Sequence, residues 1–214
     1  MKSYIKSVQV NWSNAWLDTS FRWKFLGALI IFMIFPWKAD DYFQWIQLRE
    51  GMLIQDIVLA NIPALNVSIP IFGIIYLSVI FLLFRLLPSP LLFLWFAWAF
   101  NLETFIRLTC IFFIPLNPPV GLVDLHDPLA EIFIYGENLA ITKDLFFSGH
   151  TATMIFVCFF LTNSTEKKWA IVLTILLMAL LLIQHVHYTM DVLAAPFFTI
   201  GSIYLIKKWM GINL

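Results

Sequence analysis

The chain is short of charge. Only 12% of its 214 residues are Asp, Glu, Lys or Arg, and the 13 basic and 13 acidic residues cancel. A soluble domain carries about twice that charged share. The zero net charge leaves no basic footprint for nucleic acid, so no nucleic-acid partner is expected. Cysteine is equally scarce. Cys110 and Cys158 both sit inside apolar runs, which excludes a disulfide framework and reads as two small buried hydrophobes. The chain lacks internal repeats and low-complexity tracts. No small-residue cleavage site follows the polar N-terminus, so the first apolar run is expected to remain as an anchor.

What the chain does have is apolar bulk. Hydrophobic residues make up 61% of it, mean hydropathy is +0.87, and there are 22 Phe and 9 Trp. This composition predicts an all-α integral membrane protein with six transmembrane helices in one bundle. The apolar runs are 25–37, 67–84, 91–114, 148–161, 169–183 and 192–206. Residues 1–22 form an N-terminal segment that reads either as an interfacial helix or as a disordered tail; residues 23–210 form the membrane domain. Part of 38–66 reads as helix at the interface.

Six spans put both termini on one side. Lys2, Lys6, Arg22, Lys24, Arg85, Lys167, Lys168, Lys207 and Lys208 flank that side, against Lys38, Arg49, Arg107 and Lys143 on the other. The positive-inside rule therefore places the termini in the cytoplasm and the segments 38–66, 116–147 and 184–191 outside. A bacterial inner membrane is the expected location.

Two motifs at outer helix edges then face each other. Ser148-Gly149-His150-Thr151 opens the fourth run. The first-turn N–H groups of a helix lack internal partners and attract anions, so Ser148 and Gly149 read as a phosphate cradle and His150 as an acid/base group in it. His187 and Asp191 are four apart, which puts them on one helical face if the last helix starts early. A carboxylate beside an imidazole fixes its tautomer and improves the other ring nitrogen as nucleophile or base. Arg107 lies within the third run. It either pairs structurally with Glu103, one turn earlier, or meets a phosphate with Glu103 orienting it. His150, His185, His187 and Asp191 also make a conceivable metal-ligand set, but the fixed ligand motifs of zinc hydrolases are missing, so neither metal nor cofactor is expected.

Ser-Gly-His followed by His-x3-Asp resembles the type 2 phosphatidic acid phosphatase superfamily, and in particular its sphingomyelin synthase-like branch. Ser148-Gly149-His150-Thr151 and His185-x-His187-Tyr188-Thr189-x-Asp191 are similar to that branch's two signatures, and Arg107-x-Thr109 followed by Pro115 and Pro118 is similar to its first element. Two cations of the wider superfamily are absent: Phe100 and Leu181 stand at those positions, and Leu108 replaces a proline. The branch lacks these cations as well.

The resemblance implies a metal-independent, two-step transfer through a phosphohistidine. His187 is the implied nucleophile, Asp191 its orienter and His150 the general acid and later base. Arg107, Ser148, Gly149, His185 and Tyr188 are the implied substrate and phosphate ligands. The implied donor is a phospholipid in the bilayer, and the acceptor a lipid alcohol (ceramide or diacylglycerol) or water. Asp40, Asp41, Asp124, Asp127, Glu131 and Glu137, with Tyr42 and Tyr135, suit a cationic headgroup or form a solvated acidic loop. A reading from another class, a small transporter or assembly subunit, would call for inverted repeats or broken spans, and the sequence has neither.

Overall fold

The computed structural model describes residues 2–125 and 141–212. Among these, seven α-helices follow in order: α1 (Lys2–Ala15), α2 (Thr19–Leu48), α3 (Ser68–Leu86), α4 (Pro90–Phe113), α5 (Gly149–Phe160), α6 (Ser164–Ile183) and α7 (Thr189–Met210). Four of them, α2, α3, α4 and α7, are long and apolar enough to cross a membrane. α5 is apolar but has only 12 residues, about 18 Å at ~1.5 Å per residue. α6 keeps Glu166, Lys167 and Lys168 at its N-terminal end.

Of the two readings of the N-terminal segment, helix or disordered tail, the structure has a helix at Lys2–Ala15, α1. Its side chains satisfy the carbonyls left open where α3 ends. Trp12 Nε1 donates to the Leu87 carbonyl at 2.7 Å, Asn11 Nδ2 to that of Pro88 at 2.7 Å, and the Tyr4 hydroxyl to that of Phe84. Pro90 opens α4 after the short turn, where its missing N–H costs nothing.

The run expected at 25–37 and the helix expected within 38–66 are one element. α2 runs unbroken for 30 residues through Pro36, Lys38, Asp40 and Asp41. Asp18 caps its start, accepting from the Ser20 N–H at 2.8 Å. The charges lie on the outer face, where Lys38 pairs with Asp41 at 3.4 Å and Gln44 donates to Asp40 at 2.9 Å. Ala39, Phe43 and Ile46 meanwhile continue a buried stripe at helical spacing. A charged cluster on one face does not stop a helix whose opposite face is still packed.

α4 and α7 form the central pair, with Trp95 Nε1 donating to the buried Ile203 carbonyl at 3.0 Å. α5 packs against α3, α6 and α7, and α2 leans on α4. Ile71, Leu82, Leu86, Met154, Leu177 and Ile203 meet in the main core, all at most 1% exposed. The consequence for function is placement. The N-terminus of α5 meets the first turn of α7, the Ser148 N–H donating to the Asp191 carbonyl at 3.1 Å.

Candidate active site

Ser148 is the N-cap of α5: its Oγ accepts from the Thr151 N–H at 3.3 Å and from the Thr151 hydroxyl at 3.2 Å. The residue is fully buried, and its hydroxyl works as a cap. Arg107 reaches this helix start from α4. Its Nε donates to the Phe147 carbonyl at 2.8 Å, and its Nη2 meets Asp144 Oδ1 at 2.7 Å. The guanidinium lies flat against Gly149. A Cβ added there would stand 2.9 Å from Arg107 Cζ and 3.0 Å from Nε. Gly149 is therefore what allows a cation to lie alongside the first turn of α5.

Of the carboxylates among the described residues, Asp144 is the one that pairs with Arg107, with side chains 14% and 16% exposed. Glu103, one turn away, is 4% exposed, and its Oε1 has no hydrogen bond among the described residues.

The second half of the site is the turn from Gln184 to Thr189, and nearly every residue in it is tied to another segment. Gln184 Oε1 accepts from the Val67 N–H at 2.8 Å, and its Nε2 donates to Ser68 Oγ at 2.7 Å. His185 has φ +56°, a left-handed conformation that a β-carbon disfavours. Its ring lies between two carbonyls, Nδ1 being 3.0 Å from Val120 O and Nε2 3.2 Å from Ile62 O. The Tyr188 hydroxyl donates to Asn117 O at 2.9 Å and accepts from the Ile54 N–H at 3.3 Å. Burial raises the pKa of that phenol above its ordinary value.

The expectation that His185 and Tyr188 hold phosphate is thus not met by their surroundings. Both are buried, and both face backbone groups of the segments 52–66 and 114–123. They brace the turn.

His187 is different. It is 2% exposed and faces two groups from the opening motifs. Its Nδ1 lies 3.4 Å from Asp191 Oδ2, an ion-pair distance rather than a well-formed hydrogen bond. The same carboxylate oxygen accepts from the Tyr188 N–H at 3.0 Å, which locks Asp191 to the start of α7. The His187 and His150 ring centroids are 5.9 Å apart with the planes inclined by 67°. His150, half-buried at the start of α5, also lies against the Phe72 ring of α3. Two imidazoles from different helices therefore converge, one backed by a carboxylate and the other at a helix N-terminus beside a guanidinium.

One contributor had no sequence signal. Asp56, in the segment between α2 and α3, accepts from the Thr189 N–H at 2.6 Å and the Thr189 hydroxyl at 3.0 Å. Burial opposes its ionisation, yet the hydrogen bonds from Thr189, Leu59 and Val58 hold its carboxyl below the usual value.

The positions where the wider superfamily carries cations are apolar here for a visible reason. Leu181 is fully buried in the main core, and the Phe100 ring packs on Phe156 at 5.9 Å. Of the expected acidic headgroup surface, Asp40 and Asp41 are engaged on their own helix. The Tyr42 hydroxyl donates to Leu108 O at 2.7 Å. Asp127, Glu131, Tyr135 and Glu137 lie outside the described residues.

Residues 143–208 match the family model described as PAP2 superfamily C-terminal. No curated protein and no solved structure matches the chain. The matched stretch contains Ser148, Gly149, His150, His187 and Asp191 and ends within α7, while Arg107 reaches it from outside. This stretch, 66 of the chain's 214 residues, is similar to the PAP2 superfamily, and four of the described helices are long and apolar enough to cross a membrane.

Proposed function

We propose that the protein transfers a phospho-headgroup between lipids through a phosphohistidine on His187, in the manner of the sphingomyelin synthase-like branch. The observation that carries this reading is the convergence of His150 and His187 at 5.9 Å between ring centroids, with Asp191 behind His187 and Arg107 against Gly149, the residue before His150. Asp191 faces Nδ1 of His187, so Nε2 is the nucleophile. Nε2 attacks phosphorus, the bond from phosphorus to the leaving oxygen breaks, and the His150 imidazolium gives its proton to that oxygen. In the second step neutral His150 takes the proton of an acceptor hydroxyl. The acceptor oxygen attacks phosphorus, and the bond to Nε2 breaks. The first-turn amides of α5 and Arg107 stabilise the charge on the transferring group.

The acceptor is a lipid alcohol such as ceramide or diacylglycerol. The apolar residues at the two cation positions favour this over hydrolysis, because two charges suited to a bare phosphate monoester are missing. Lipid phosphate hydrolysis, with water as acceptor, is the second reading, and the family match favours it at the coarse level. In our reading six helices cross the bilayer, α5 and α6 included. Both termini are cytoplasmic, the site lies on the non-cytoplasmic face of a bacterial inner membrane, and neither metal nor cofactor takes part.

The test is purified protein in vesicles with headgroup-labelled phospholipid, with and without ceramide or diacylglycerol, in excess chelator. A new headgroup-bearing lipid that requires the added alcohol supports transfer. Free phosphate or phospho-headgroup released regardless of the alcohol supports hydrolysis. Loss of all turnover with chelator, restored by a divalent metal, overturns metal independence.

A further inference from the structure

We infer that Asp56 is a positioning residue for the His187 nucleophile, holding the start of α7 from a segment 131 residues earlier in the chain. The inference rests on the phosphohistidine reading above for its kinetic consequence, and on geometry alone for its structural one.

α7 is capped locally only in part, by Asp191 of its first turn, which accepts from the Tyr188 N–H at 3.0 Å. Its N-cap residue is Tyr188, whose phenol cannot fold back as a Ser or Asp side chain does and is instead committed to Asn117 O at 2.9 Å. The first N–H groups of a helix need acceptors. Asp56 meets that need from across the molecule, with Oδ2 2.6 Å from the Thr189 N and Oδ1 3.0 Å from Thr189 Oγ1. A carboxylate at this end also complements the helix dipole.

Asp56 is itself held. Oδ1 accepts from the Val58 N–H at 3.0 Å and the Leu59 N–H at 3.3 Å, which shapes the turn around Leu59–Asn61. Leu59 then packs with Tyr188, Leu116 and Leu145. The carboxylate thus accepts from four donors, two on Thr189 and two in its own turn.

The consequence for His187 follows from the backbone. The N–H of Tyr188 goes to Asp191 and the N–H of Thr189 goes to Asp56. Two carboxylates, one from inside α7 and one from outside, fix consecutive peptide planes immediately after His187. Its ring direction, with Nδ1 toward Asp191 and the ring centroid 5.9 Å from that of His150, depends on those planes. Without Asp56 the start of α7 is free to fray, and Asp191 sits in that first turn.

The experiment uses the full-length protein with Asp56→Asn, Thr189→Val, Thr189→Ser and the Asn/Val double variant. Asparagine can keep the local turn through one oxygen but presents an amide group to the Thr189 N–H. We expect hydrogen exchange over residues 185–191 to rise at least about tenfold in Asp56→Asn and to stay at the wild-type rate in Thr189→Ser. We expect kcat and the rate of phosphohistidine formation to fall about tenfold in Asp56→Asn, with KM within about twofold, and the double variant to be no slower than Asp56→Asn. A wild-type exchange rate in Asp56→Asn overturns the inference whatever the reaction proves to be. So does a rise in KM with kcat intact, or losses that multiply in the double variant. If the wild-type protein itself forms no phosphohistidine, the reaction reading fails, and the exchange result alone decides the positioning role.

Discussion

The two ends of the bundle use their polar side chains differently. At the end bearing α1, the α3–α4 turn and the start of α6, polar groups close helix ends and remain wet. Arg85 meets Glu166 at 3.1 Å with side chains 40% and 26% exposed. Trp12 and Asn11 donate to stray carbonyls. At the other end the polar groups are buried and converge. Ser148, Gln184, His187 and Asp191 are each 2% exposed or less, and each belongs to a network that reaches a second segment. A polar residue at a helix end is unremarkable by itself, because every helix leaves open groups there. Burial of several around two imidazoles is costly unless each is partnered, and that cost marks a functional site.

The comparison breaks most directly at His187. His187→Ala should abolish turnover, a loss on the order of a thousandfold or more, since it removes the group that becomes covalently attached. Labelled substrate should then leave no acid-labile phosphoenzyme. A variant that still forms one would move the nucleophile elsewhere. His150→Ala should cost about a hundredfold to ten-thousandfold, the usual worth of a general acid and base. Because that role is protonation of the leaving oxygen, substrates with good leaving groups should recover most of the loss. Equal loss for good and poor leaving groups would deny His150 the role.

Both histidines and Asp191 were legible because their signal is local: a helix edge, a cap, a spacing of four. The helix edges at Pro88, Pro90 and Pro115 were legible for the same reason, and α3 (Ser68–Leu86) and α4 (Pro90–Phe113) begin and end within two residues of the expected runs. What sequence reasoning missed is long-range. Asp144 is 37 residues from the arginine it pairs with, and Asp56 is 133 residues from the threonine it holds. Neither has a neighbour in sequence that announces it. His185 was read as a ligand because it shares a motif with His187, yet the left-handed backbone at His185 turns its ring toward two carbonyls. Alternate residues of one motif divide into brace and chemistry, and the division is set by segments elsewhere in the chain. That the run at 25–37 and the helix within 38–66 join as one α2 is carried by its buried stripe, Ala39, Phe43 and Ile46, and not by its charges.

Gly149 is the sharper test of how the outer end works. The sequence reading makes it a place where an anion approaches the backbone; the geometry adds that it makes room for Arg107. Gly149→Ala places a methyl 2.9 Å from Cζ of a guanidinium already held by Phe147 O and Asp144. The side chain must shift and lose part of that set. Charge-assisted hydrogen bonds are worth about 1.5–3 kcal/mol, so kcat/KM should fall by roughly ten- to a hundredfold while the protein remains folded. Arg107→Lys should not recover it, because one ammonium cannot reproduce the fork. If Gly149→Ala retains wild-type kcat/KM, Arg107 is a strut between α4 and the 144–147 segment and takes no part in phosphate binding.

The smallest effect belongs to the end bearing α1 and the start of α6. Arg85 stands in the last turn of α3 and Glu166 in the first turn of α6, each placed favourably for its helix dipole. The pair is nevertheless partly exposed, and solvent screens it, so its worth is about 0–1 kcal/mol. Arg85→Gln should lower the thermal midpoint only slightly and leave kcat and KM at wild-type values. The kinetic half of that expectation carries the weight. α3 also presents Phe72 to His150 at its far end, so a rigid α3 offers a mechanical route from one end of the bundle to the other. A drop in kcat for Arg85→Gln comparable to that of Gly149→Ala would mean that the route is used. Wild-type kinetics, with the expected small stability loss, would mean that the site is held by its own outer segments, with Asp56, Asn117 and Gln184 as the clamps.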